Sequence, residues 1–108
     1  MEVRFYTNPR GDRPVQDYIA DLDDEERGRV DDAIAELLEA DRMEEVQVVT
    51  RHIEERLWEL KVSRHRIFYV LVTGPIVVLL HAYKKQGQRA PPRELDVARR
   101  RMKEVLDG

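Results

Sequence analysis

The spacing of hydrophobic and polar positions changes along the chain, and the predicted elements follow from it. Val3 to Thr7 alternates, with Val3 and Phe5 on one side and Arg4 and Tyr6 on the other, which predicts a short strand. Asn8-Pro9-Arg10-Gly11-Asp12 concentrates turn formers. A helix is predicted from Pro14, a residue tolerated at the first helical position, with Val15, Tyr18, Ile19 and Leu22 on one stripe. Asp23 or Asp24 caps a second helix, with more acids in its first turn and a stripe of Val30, Ala33, Ile34, Leu37 and Leu38. Glu44 to Glu55 reads as a loop with a short extended piece at Val46 to Val49.

From Leu57 the period becomes two. Trp58, Leu60 and Val62 face one way, and Leu57, Glu59 and Lys61 the other. Ser63 to His65 is predicted as a turn, and Arg66 to Thr73 as a strand rich in β-branched and aromatic residues. Gly74-Pro75 reverses the chain into Ile76 to Tyr83, a nearly continuous apolar run suited to a central strand covered on both faces. Lys84 to Ala90 is a polar loop. Pro91-Pro92 opens a last helix carrying Leu95, Ala98, Met102, Val105 and Leu106. The expected fold is α+β, one domain over residues 1–108, in the order β-α-α-β-β-β-α. Its small sheet is antiparallel, two early helices cover one face, and the other face is left to carry function.

Composition adds bounds. A chain of 108 residues suits a single core, and the absence of cysteine rules out disulfides and thiolate metal sites. That fits a reducing compartment such as cytoplasm. The N-terminus does not read as a signal peptide, and the apolar run from Ile67 to Ala82 is too interrupted to span a membrane. The net charge of −3 conceals a strong asymmetry. Residues 1–60 hold 8 Lys and Arg against 18 Asp and Glu, whereas residues 61–108 hold 11 against 4. The second half therefore favours a polyanion, while the sequence pI near 5.6 counts against indiscriminate nucleic-acid affinity.

Strand spacing concentrates chemistry at one place. His81 and Tyr83 are two apart and leave on one face, and Lys84 and Lys85 follow. A hairpin closing at Gly74-Pro75 sets Arg66 roughly opposite Tyr83 or Lys84, with Lys61 and Glu59 at the edge. Cleavage of RNA by its own 2′-hydroxyl needs a base, an acid and cations for the charge on phosphorus. Arginine supplies a forked phosphate donor, lysine a point charge, histidine a group that titrates near neutrality, and tyrosine a ring that stacks on bases. Competing readings are structural. His81 can tie its strand to the last helix, His52 and His65 read as loop residues, Trp58 as core, and Tyr69 as core or surface. Glu59 pairs more readily with Arg66 or Lys61 than it serves as a base. Arg99-Arg100-Arg101 wraps around a helix, so the three cannot share one face. The acids from Asp23 to Glu26 lack the spacing of a metal loop.

Four blocks in order carry a family resemblance: Leu57-Trp58-Glu59-Leu60-Lys61, Arg66-Ile67-Phe68-Tyr69, Leu79-Leu80-His81-Ala82-Tyr83-Lys84-Lys85, and Pro92-Arg93-Glu94-Leu95 with Ala98 and Arg100. Together they resemble the HigB-like, phage-derived branch of the RelE/ParE toxin superfamily of type II toxin-antitoxin systems. Lys61 stands where an Arg is usual, and Tyr83 where a Phe is usual. The acidic pI departs from a family that is generally basic. The resemblance implies a RelE-like fold and a ribosome-dependent endoribonuclease that cleaves mRNA during translation. A co-encoded helix-turn-helix antitoxin would neutralise it, with no metal, organic cofactor or membrane involved. It points to Arg66, His81, Tyr83 and Lys84 as catalytic, and to Lys61, Arg64, Lys85 and Arg100 as RNA-binding. A ParE-like inhibitor of DNA gyrase and a non-catalytic RNA- or partner-binding member of the fold remain alternatives.

Overall fold

The computed structural model describes residues 1–42, 45–73, 75–88 and 91–108. The elements are β1 (Glu2–Phe5), α1 (Pro14–Ala20), α2 (Asp24–Glu39), β2 (Thr50–Glu54), β3 (Leu57–Val62), β4 (His65–Val72), β5 (Ile76–Lys84) and α3 (Pro92–Asp107). The strands form one five-stranded sheet in the order β1-β5-β4-β3-β2. β1 runs parallel to β5, and every other neighbouring pair is antiparallel. The sheet is therefore mixed, and it has one strand more than expected. That strand, β2, begins at Thr50, just beyond the extended piece expected at Val46 to Val49. Its sequence, Thr-Arg-His-Ile-Glu, offers one aliphatic residue and no apolar alternation, because an edge strand pairs on one side only.

The helices form where their stripes predict. Pro14 opens α1, and Val15 and Ile19 are buried. The Asp23 side chain caps α2 by accepting from the Glu26 N–H at 2.8 Å, and Asp24, Glu25 and Glu26 sit against the positive helix end. Val30, Ala33, Ile34 and Leu37 are buried, but Leu38 is exposed, as is Leu106 in α3. Both exposed leucines sit at the margins of their stripes, next to residues that take the core contacts.

Two apolar layers result. On one face α1 and α2 pack over Leu60, Val62, Ile67, Tyr69, Val77 and Leu79. On the other, Ala98 and Met102 of α3 pack over Leu57, Phe68, Val70, Val78 and Leu80. The face expected to stay open is thus largely covered by α3. β5 lies inside the sheet with apolar cover on both sides, which accounts for its unbroken apolar run.

Two local features place the site. The β3–β4 connection is a two-residue turn, with Val62 paired to His65 and Ser63 at φ +53°. His65, expected in the turn, is instead the first residue of β4 and is 1% exposed. It sits opposite the Tyr18 hydroxyl, 2.6 Å from Nδ1, and the Glu26 carboxylate, 3.1 Å from Nε2. In β5 the register slips: Phe68 pairs with His81 but Tyr69 pairs with Leu79, so Leu80 has no partner of its own. This β-bulge reverses which way later side chains face. Val78 and Leu80 point towards α3, and after the bulge so do His81 and Tyr83. The reversal expected at Gly74-Pro75 is consistent with the pairing of Val72 to Ile76; Gly74 lies outside the described residues.

Candidate RNA-binding site

The register assembles the site on the α3 side of the sheet, at the end beyond the helix N-terminus. Lys61 on β3 pairs with Arg66 on β4, and Arg66 pairs with Tyr83 on β5. Directly paired residues share a face, so the three form one row. A second row, nearer α3, runs Arg51, Glu59, Phe68 and His81 across four strands. The pairing of Arg66 with Tyr83 agrees with the strand count from the sequence.

Arg66 folds back on the β3–β4 turn. Its Nη1 donates to the carbonyls of Ser63 at 2.9 Å and His65 at 3.0 Å. The Lys85 N–H donates to the Arg64 carbonyl at 2.7 Å and draws the end of β5 to the same turn. A surface depression of about 460 Å³ opens there, lined by Arg64, Arg66, Lys85, Gln86, Gly87 and Gln88. These described lining residues supply three cations and no carboxylate, a setting that attracts phosphate. A second depression, of about 450 Å³, lies at the β1 edge beside Tyr6, Val78 and Val105. It is larger in apolar wall and carries no comparable cluster of one charge.

Tyr83 is 7% exposed. Its ring stacks against Phe68, at 5.8 Å, and His81, at 6.2 Å. The ring is therefore part of the floor and cannot also serve as a stacking platform for a base. Burial first, and then the Glu59 carboxylate, push its hydroxyl above the ordinary phenol range, while Arg66 and Arg51 pull the other way. The hydroxyl stays protonated at neutral pH and can donate a hydrogen bond or a proton.

His81 has both ring nitrogens engaged. Nε2 contacts the Glu94 carboxylate, and Nδ1 lies 3.3 Å from Arg101 Nη1. A guanidinium only donates, so Nδ1 accepts and Nε2–H donates to Glu94. Burial lowers the affinity of the ring for a second proton, outweighing the opposing pull of Glu94. His81 thus ties β5 to α3, and Arg101 strengthens the tie by donating to the Leu80 carbonyl at 2.9 Å.

Other expected positions separate from this cluster. Lys84 pairs with His65, so strand parity sends its side chain to the face opposite Arg66 and Tyr83. The reading that grouped Lys84 with them overlooked the alternation. Arg100 is exposed on α3 and does not line the depression. Its neighbours face elsewhere: Arg99 pairs with Glu54 at 2.7 Å, and Arg101 turns inward. Tyr69 is fully buried, and burial pushes its hydroxyl up. Glu59 is 2% exposed and pairs with Arg51 at 3.7 Å rather than with Arg66 or Lys61. Arg51 escaped the sequence reading because β2 did; recognising β2 would have set Arg51 opposite Glu59.

Residues 17–103 match the model of the phage-derived Gp49-like proteins (DUF891). The chain belongs to this family. No curated protein matches it. The match begins within α1 and takes in α2, the four strands β2 to β5 and most of α3, including every residue of the site just described. Among the described residues, no helix is long and apolar enough to cross a membrane.

Proposed function

We propose that this Gp49-like chain is the toxin of a type II toxin-antitoxin pair, and that it cuts ribosome-bound mRNA without a metal. The observation that carries the proposal is the convergence of Lys61, Arg64, Arg66 and Lys85 at one sheet end, next to the protonated Tyr83 hydroxyl. Membership of the Gp49-like family, which is associated with RelE-type toxins, supports it. So does the pattern of a small sheet with two helices on one face and one on the other, which we take to be RelE-like.

In this mechanism Arg66 holds the scissile phosphate with the guanidinium donors its turn contacts leave free. The 2′-oxygen attacks phosphorus and gives up its proton to solvent water. The P–O5′ bond breaks, leaving a 2′,3′-cyclic phosphate, and the departing 5′-oxygen takes a proton. Tyr83 is placed to give that proton. Lys61 and Lys85, with Arg64 beside them, offset the charge that builds on the phosphoryl oxygens. His81 positions the Tyr83 ring. A co-encoded helix-turn-helix protein would be the neutralising partner.

The test is mRNA cleavage on programmed ribosomes. Arg66→Ala is expected to cost about 3 kcal/mol of transition-state stabilisation, roughly a hundredfold or more in rate. Intact messages accompanied by inhibited gyrase supercoiling would overturn the proposal.

A further inference from the structure

The proposed site holds one charged pair to which no role has yet been given. Glu59 lies within the cationic face with its side chain 3% exposed, whereas its partner Arg51 is 57% exposed. A carboxylate so buried is costly unless it is paired, and among the described residues its ion-pair partner is Arg51. Arg51 comes from β2, the edge strand, and stands two strands from Arg66. At about 4.8 Å per strand that is a lateral offset of roughly 10 Å. Lys61 lies between them, one row further out.

Resting on the function proposed above, we infer that Arg51 is a second phosphate contact, and that the buried Glu59 carboxylate is the positioning residue that aims it over the sheet. The substrate class follows: a single RNA strand laid across β4, β3 and β2, with one phosphate at the depression of Arg64, Arg66 and Lys85 and another at Arg51. Exposure fits this division of labour. Arg51 reaches solvent, while Glu59 is too enclosed to meet a substrate. Tyr83, on β5, lies on the opposite side of Arg66 from Arg51, beside the first of the two contacts.

Charge makes the inference testable. Glu59→Gln removes a negative charge from a polyanion-binding face, so electrostatics alone predicts tighter binding. A positioning role predicts the opposite. The experiment measures the concentration of programmed ribosomes that half-saturates cleavage, for the wild type, Arg51→Gln, Arg51→Lys and Glu59→Gln, with the thermal midpoint of each variant recorded. Arg51→Gln is expected to raise the half-saturating concentration on the order of tenfold, the loss of one charge-assisted contact. Glu59→Gln is expected to raise it in the same direction, and Arg51→Lys to restore part of the loss. Should Glu59→Gln fail to fold, the exposed Arg51 variants carry the test. Cleavage that depends on Arg66 but is unchanged in Arg51→Gln, or tightened in Glu59→Gln, overturns the inference and leaves the function standing. Absence of cleavage by the wild type overturns the function, and the inference with it.

Discussion

At the scale of single residues, what matters is which atoms are already committed. Tyr83 has given its ring to the floor and keeps its hydroxyl; His81 has given both nitrogens to α3. Replacing Tyr83 with Phe retains the stacking on Phe68 and His81 and removes the O–H. Cleavage is expected to fall about a hundredfold, in line with the loss of a general acid, with little change in half-saturation; single-turnover rates on programmed ribosomes check it. His81 leads to a prediction about stability. Its folded-state affinity for a proton is lowered, chiefly by burial. The neutral ring therefore contributes stability that is present above the ordinary histidine value of about 6.5 and is lost as pH falls through the lowered folded value. Chemical denaturation between about pH 5 and 7.5 should show the wild type losing stability on acidification more steeply than His81→Gln. The sequence could place His81 and Tyr83 side by side, because strand spacing is a local property. It could not show that Glu94 and Arg101 would claim the histidine, since those contacts require α3 to fold back across the sheet.

At the scale of elements, the readable segments were those with an unambiguous period. α2 has both a stripe and a cap, and its cap is worth testing: Asp23→Ala removes the acceptor for the Glu26 N–H and should cost about 1 kcal/mol. Urea denaturation measures it, and activity per folded molecule should be unchanged. β2 was not readable because its apolar content is one isoleucine. It exists because β3 offers an edge, and the polar side chains of such a strand face solvent on one side and the site on the other. Parallel pairing of β1 with β5 was likewise invisible, because it joins strands more than seventy residues apart. The approach of Arg66 to Tyr83 was readable to within one residue from the short turn, but the exact pairing rests on the bulge, since Val72 opposite Ile76 would otherwise set Arg66 against Ala82.

At the scale of the molecule, the charge asymmetry counted along the chain becomes a matter of position. The cations of the second half gather at the β3–β4 turn, while others of the same half are spent internally: Arg99 on Glu54 and Arg101 on the Leu80 carbonyl. Counting charges overstated any one basic patch: Lys84, Arg93, Arg100 and Lys103 are exposed elsewhere, and only a few side chains meet at one sheet end. Binding to RNA should accordingly involve few phosphates. With about four contacts, the dependence of log affinity on log salt would have a slope near −3 for a single strand. A titration over moderate salt checks this, and a much steeper slope would indicate a broader basic footprint than the register provides.

The unpaired Leu80 in β5 has one more consequence. The side chains that meet at the site depend on how many residues precede them in the strand as well as on which residues they are. Removing Leu80 itself would only restore regular alternation and keep Tyr83 on its face, whereas removing Ala82, beyond the bulge, would leave every arginine, lysine, histidine and tyrosine of the site in the chain. Yet the loss of Ala82 would exchange inside and outside for one stretch, turning Tyr83 towards α1 and bringing Lys84 round in its place. The loss of that one codon is then expected to silence the protein more completely than most single replacements could. Comparisons between relatives of this chain are safest when they count gaps in this strand before they compare letters.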